Sequence, residues 1–210
     1  RLRCDWSSDV CSSDLRQDLF DESQFSPADV ERYGQHEIGR HMLQGRKMLE
    51  AGVRFVKVNS YGWDSHGDHF NGAFSQHAKF DQAFAAIVED LHERGMLEHV
   101  LVVCMSEFGR TPRISVTKGS QTGVDQPGRD HWPQAMSVLV TGGGMPTGQV
   151  VGSTNAKGEH PQSRPFTPND FWASVYSHLG IDTEHAWPDH GGRPMPILPF
   201  GSPIPELGLG

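Results

Sequence analysis

Long apolar runs are missing from this sequence: its longest, such as residues 100–105, reach only strand length, so neither a membrane-spanning helix nor a secretory hydrophobic core lies within it. Basic charge is also short. With 18 Lys and Arg against 26 Asp and Glu, the formal charge is -8. That balance argues against a nucleic-acid partner, because neutralising phosphates needs a Lys/Arg surface, and no basic run supplies one. Cysteine is scarce too, and the three present make no disulfide framework. Cys104 sits inside an apolar run, where a free thiol behaves as a small hydrophobe. At 210 residues the chain is long enough for one domain with a sizeable core, or for part of a larger one.

Histidine, by contrast, is in surplus. Twelve occur, and several stand within a few residues of Asp, Glu, Gly and Trp rather than on amphipathic faces. Residues 1–15 have a different character: they show no helical or strand period, repeat Ser-Ser-Asp, and carry Cys4 and Cys11. They resemble translated sequencing-adapter read-through, and we read them as an artefactual tail outside the fold.

Beyond that tail the pattern is α/β. Ser26, Pro27 and Asp29 form a helix start, which predicts a helix over about residues 27–51 stopped by Gly52. A β-branched run at residues 53–58 predicts a buried strand, and apolar spacing predicts a second helix over about residues 72–94, stopped by Gly95. Residues 100–105 then read as a strand. Strand, helix and strand make one right-handed crossover with parallel strands. Residues 136–141 predict a third strand, and Thr167 opens a last helix that Gly180 closes.

In open α/β sheets, ligands bind beyond the carboxyl ends of the strands. The loop after residue 58 carries Asp64, His66, Asp68 and His69. The loop after residue 105 carries Glu107 and Arg110, and a later one carries Arg129, Asp130 and His131. Mixed carboxylate and imidazole sets suit zinc, manganese or iron, whereas calcium and magnesium prefer oxygen alone. Each element also has a plainer reading. Asp64 and His66 could shape a solvated Gly-rich turn, Glu107 could cap the turn that follows it, and Arg110 and Arg129 could pair with nearby acids.

Four motifs occur in order: Gly62-Trp63-Asp64-Ser65-His66, Ser106-Glu107-Phe108-Gly109-Arg110-Thr111-Pro112, Gly128-Arg129-Asp130-His131-Trp132-Pro133, and Thr141-Gly142-Gly143-Gly144. With them the chain resembles, from about residue 18 to 207, the C-terminal half of the domain-of-unknown-function 1501 family, bacterial proteins abundant in planctomycetes that look like alkaline phosphatases and sulfatases. The resemblance implies a mostly parallel sheet flanked by helices, with residues 16–210 forming the C-terminal part of one such domain. Asp64 and His66 resemble ligands of one metal, and His131 its late second histidine. Glu107 stands where an Asp-His pair of the other metal is usual, but Phe108 occupies the histidine's place. Asp68 and His69 are the alternatives to these choices. The implied cofactor is one or two divalent ions, zinc first, with manganese, iron or calcium as alternatives.

The function so implied is hydrolysis of phosphate or sulfate esters, of a small molecule or a glycan, with Arg110 or Arg129 stabilising the transferring anion. The nucleophile is expected upstream, as is a twin-arginine export signal, so the parent protein is expected to be exported and these residues alone to be inactive. A non-catalytic exported module that binds metal or glycan is the alternative.

Overall fold

The computed structural model describes residues 17–119 and 123–208. The whole segment read as foreign lies outside them. The described chain forms two compact units: residues up to 63 with 73–89, and residues 64–72 with 90 onward.

In the first unit, the helix expected over residues 27–51 is two helices, α1 (Pro27–Tyr33) and α2 (Glu37–Glu50). Ser26 caps α1 as its sequence predicts, accepting a hydrogen bond from the Asp29 amide at 3.0 Å. Gly34 then ends the helix, and the His36 imidazole caps α2 by accepting from the Gly39 amide at 3.1 Å. Helical periodicity runs unbroken through this corner, which is why pattern alone joins the two. Tyr33, Ile38, Met42 and Leu43 are buried here, and Arg46, 3% exposed, bridges Asp29 at 3.0 Å and Glu50 at 2.7 Å. A buried guanidinium needs such partners on both sides.

Residues 53–58 form no strand, and the expected parallel crossover is therefore not formed among the described residues. A β-branched run becomes a strand only where a neighbour supplies the other half of its ladder. Val56 and Val58 instead lie against α2 at Gly45, where a methyl group would meet their side chains at 3.4 and 3.3 Å.

α3 (His69–Glu93) starts three residues before its expected first turn; its residues 73–89 belong to the first unit and both its ends to the second unit. There, β1 (Leu101–Cys104) pairs antiparallel with β6 (Leu139–Gly142), setting Leu101 opposite Gly142 and Cys104 opposite Leu139. α4 (Pro168–His178) supplies Phe171 and Val175 to a core with Ile204, against which Leu101, Val103 and Val140 pack. Four further pairs follow: β2 (Gly109–Arg110) with β5 (His131–Trp132), β3 (Ser115–Lys118) with β4 (Asp125–Gly128), β7 (Ser153–Thr154) with β8 (Pro161–Ser163), and β9 (Ala186–Pro188) with β10 (Pro194–Pro196). Every ladder among the described residues is two-stranded and antiparallel, and no large parallel sheet appears among them. No described helix is long and apolar enough to cross a membrane.

Local stop signals hold better than the strands. α2, α3 and α4 all close in the same way, with the amide two residues past the cap bonding back to a carbonyl in the last turn: Val53 to Met48, Met96 to Leu91, and Ile181 to Tyr176. Gly52, Gly95 and Gly180 take the left-handed conformation that this closure requires.

α4 begins with a reciprocal cap. Thr167 accepts from the Asp170 amide, while the Asp170 carboxylate accepts from the Thr167 amide and hydroxyl, both at 2.7 Å. The other Asp170 oxygen holds the Ser202 amide at 2.9 Å, and buried Ser174 accepts from the Ile204 amide at 2.8 Å. So the start of α4 also fixes the C-terminal segment. The Thr167 hydroxyl, then the Thr167 and Ser202 amides, hold the Asp170 carboxyl below its ordinary range. A carboxyl lowered in the fold stabilises it above the unfolded value of about 3.9, and that contribution is lost as pH falls through the folded value. We expect Thr167→Ala to cost about 1 kcal/mol at neutral pH in urea unfolding. The stability gap between the natural chain and Asp170→Asn should narrow as pH falls below about 4. A gap that stays constant down to pH 2 would rule out this role for Asp170.

Candidate metal centre

The site lies within the second unit, and two loops far apart in sequence build it. Residues 64–68 lead into α3, while Arg129 to His131 run from β4 into β5. What joins them is a close backbone approach. A Cβ on Gly128 would lie 1.3 Å from the His66 carbonyl oxygen, so only glycine fits there. Gly67 faces side chains instead, those of Thr117 in β3 and Gln126 in β4, each 2.9 Å from where its Cβ would stand.

Two arginines lock this packing. Arg110 donates to the Ser65 carbonyl at 3.2 Å and to the Arg129 carbonyl at 3.0 Å, and Arg129 donates back to the Arg110 carbonyl at 3.1 Å and also to that of Thr111. Each guanidinium thus satisfies backbone oxygens that loops would otherwise leave to water. Pairing of Arg110 with His131 across β2 and β5 places that histidine beside the same brace.

On this frame stand Asp64, His66 and His131, with one donor atom of each within 4.8 Å of the other two. The His131 Nε2 lies 2.7 Å from Asp64 Oδ1, and the His66 Nε2 is 3.2 Å from the same oxygen. The two imidazole rings are 4.7 Å apart, and Phe108 covers His131 at 4.2 Å. The hydrogen bond from His131, then the charges of His131, His66 and Arg110, hold the Asp64 carboxyl below its ordinary range. It is ionised at neutral pH, as a metal ligand must be.

Three of the four expected ligands therefore come together, and Glu107 does not join them. It is exposed on the turn between β1 and β2. The alternatives Asp68 and His69 are engaged elsewhere, Asp68 accepting from the Asn71 side-chain Nδ2 at 2.6 Å and His69 with the Ser65 hydroxyl at 2.9 Å. Arg110, expected to meet an anion, lies 3.8 Å from Asp64 and braces the backbone, as does Arg129.

The donor set fits a divalent transition metal. One carboxylate and two imidazoles on a solvent-facing patch suit zinc or iron better than calcium, and three protein ligands leave coordination positions open. Ligand atoms around tetrahedral zinc stand about 3.4 Å apart, so the Asp64 to His131 spacing needs to open by less than about 1 Å. The sequence places Asp130 on the same loop as His131 but gives it no role; its carboxylate meets the His66 Nδ1 at 2.9 Å. Its adjacency to His131 was the available signal.

We expect Gly128→Ala to force the 64–68 loop off the β3–β4 hairpin. Helical circular dichroism should be retained while the backbone resonances of residues 64–68 shift. A variant with unchanged shifts across that loop would show that the close approach is not needed.

No curated protein and no solved structure matches this chain. A family model does match, over residues 12–207, and it takes in the end of the segment read as foreign. The chain belongs to the family described as "Protein of unknown function (DUF1501)".

Proposed function

We propose that Asp64, His66 and His131 hold one divalent transition-metal ion, zinc first, and that the protein hydrolyses phosphate or sulfate esters. The observation that carries the metal assignment is the convergence of these three donors on an exposed patch, with side chains 75%, 46% and 40% accessible. A purely structural site closes its ligand shell, and an open three-ligand set is the catalytic pattern. The hydrolase assignment rests further on the likeness of the motifs to the alkaline phosphatase and sulfatase superfamily, and export of the parent protein by a twin-arginine signal is proposed from the likeness to the family.

When bound, the ion would supply a Lewis acid that neutralises a phosphoryl or sulfuryl oxygen. The residues do the rest. Asp64 contributes the single ligand charge, and His66 and His131 contribute neutral nitrogens. Arg110 adds positive charge next to Asp64 while keeping the loop in place. Exposure leaves room for a large ester, such as a sulfated or phosphorylated glycan.

One observation favours a second reading, a non-catalytic module binding metal or glycan. Phe108 lies on His131 where a second metal's histidine would stand, and Glu107 is outside the cluster.

Plasma mass spectrometry of the purified chain after zinc loading tests the site, and we expect about one ion per chain. Asp64→Ala, His66→Ala and His131→Ala should lose it, and Glu107→Ala should keep it. Equal zinc content in all four variants would remove the metal assignment. A phosphate and sulfate ester screen on the intact parent protein then tests the reaction, and a loaded but inert protein would favour the binding module.

A further inference from the structure

We propose that Asp130 is a positioning residue: it accepts a hydrogen bond from His66 Nδ1 and so holds the ring in the tautomer whose bare Nε2 faces the cluster. This rests on the metal reading of the site, but its first test does not.

The geometry distinguishes the two ring nitrogens. Nδ1 is 2.9 Å from Asp130 Oδ1 and Nε2 is 3.2 Å from Asp64 Oδ1, so the shorter carboxylate contact is the one at Nδ1. Nε2 points at Asp64, whose Oδ1 is already engaged by His131 at 2.7 Å. A neutral imidazole carries one proton, and the nitrogen that donates leaves the other with a free lone pair. With Nδ1 donating, that lone pair falls on Nε2, on the side where Asp64 and His131 offer their own donor atoms.

Asp130 is itself held in place. The Ser115 hydroxyl donates to its second oxygen at 3.2 Å, and its amide donates to the Thr111 hydroxyl at 3.1 Å. Its carbonyl accepts from the Thr111 amide at 2.8 Å, which ties it to the strand pair carrying His131. These contacts fix the Asp130 backbone and steer its carboxylate toward the ring. A carboxylate behind a metal-binding histidine fixes ring orientation and raises ligand basicity, and losing it typically weakens metal binding about 10- to 100-fold. Asp130 also stands one residue before His131, so one short segment supplies both a ligand and the orienting group of the other histidine.

Long-range proton–nitrogen NMR of His66, on the full 210-residue chain before metal is added and at alkaline pH, reads the tautomer directly. We expect the proton on Nδ1 in the natural chain and its transfer to Nε2 in Asp130→Ala. Zinc affinity, from competition with a chromophoric chelator, should fall about 10- to 100-fold in that variant. Asp130→Asn keeps an acceptor of the same shape, so it should retain the Nδ1 proton and lose less affinity. Glu107→Ala, outside the cluster, serves as the control and should leave both the tautomer and the zinc affinity unchanged. A proton on Nε2 in the natural chain, or an Nδ1 proton that survives in Asp130→Ala, overturns the proposal. If the tautomer shifts as expected but neither protein binds zinc, the orienting contact stands and the metal reading fails.

Discussion

The candidate site depends on one close approach, that of the Gly128 backbone to the carbonyl of His66. Asp64 and His131 are 67 positions apart and His66 and Asp130 are 64 apart, and neither loop holds a regular ladder with the other. A side chain at residue 128 would separate them. With hydrogen at that position, the two loops come near enough for side chains of ordinary length to meet, and the arginine brace then becomes geometrically available. Packing permits the electrostatics here, and the electrostatics would not survive without it.

The brace also explains how so exposed a cluster can be ordered. Surface ion pairs contribute little by themselves, because water screens them and ordering two long side chains costs entropy. Arg110 and Arg129 escape that limit by bonding to backbone carbonyls, of which those of Arg110, Thr111 and Arg129 lie in or beside the strand pair β2–β5 and that of Ser65 lies in the facing loop. Each guanidinium makes contacts to two carbonyls, so little further freedom remains to be lost. The cluster that rests on them is preorganised, which is what ligand geometry to a metal demands.

Much of this was legible in the sequence, at the level of local chemistry. Helix starts at Ser26 and Thr167 and stops at Gly52, Gly95 and Gly180 depend on a few adjacent residues, and they stand where the sequence places them. Of the candidate ligands, Asp64, His66 and His131 could be named from their place on loops and from the family motifs that carry them. Partner choice was not legible. Residues 53–58 have every strand signal, yet a ladder depends on a neighbour that no local pattern specifies. Likewise, an arginine that braces a backbone and one that meets an anion have the same sequence signature, and only geometry separates them. Asp130 illustrates the same limit: its role lies wholly in where the His66 ring has been carried by Gly128.

Under the proposed reading, charge count bears on what such a centre would attract. A divalent ion with one carboxylate and two neutral imidazoles keeps one net positive charge, and Arg110 at 3.8 Å from Asp64 adds another nearby. Asp130, on the far side of His66, offsets part of this through the ring. The balance favours an anionic ligand over a neutral one. It also weighs against a second divalent ion at the same spot: that ion would need at least one more carboxylate among its ligands, and Glu107 is exposed outside the cluster while Phe108 presents an apolar ring. A phenyl ring on His131 restricts the imidazole and excludes water from one of its faces, which helps a single ion and offers nothing to a second.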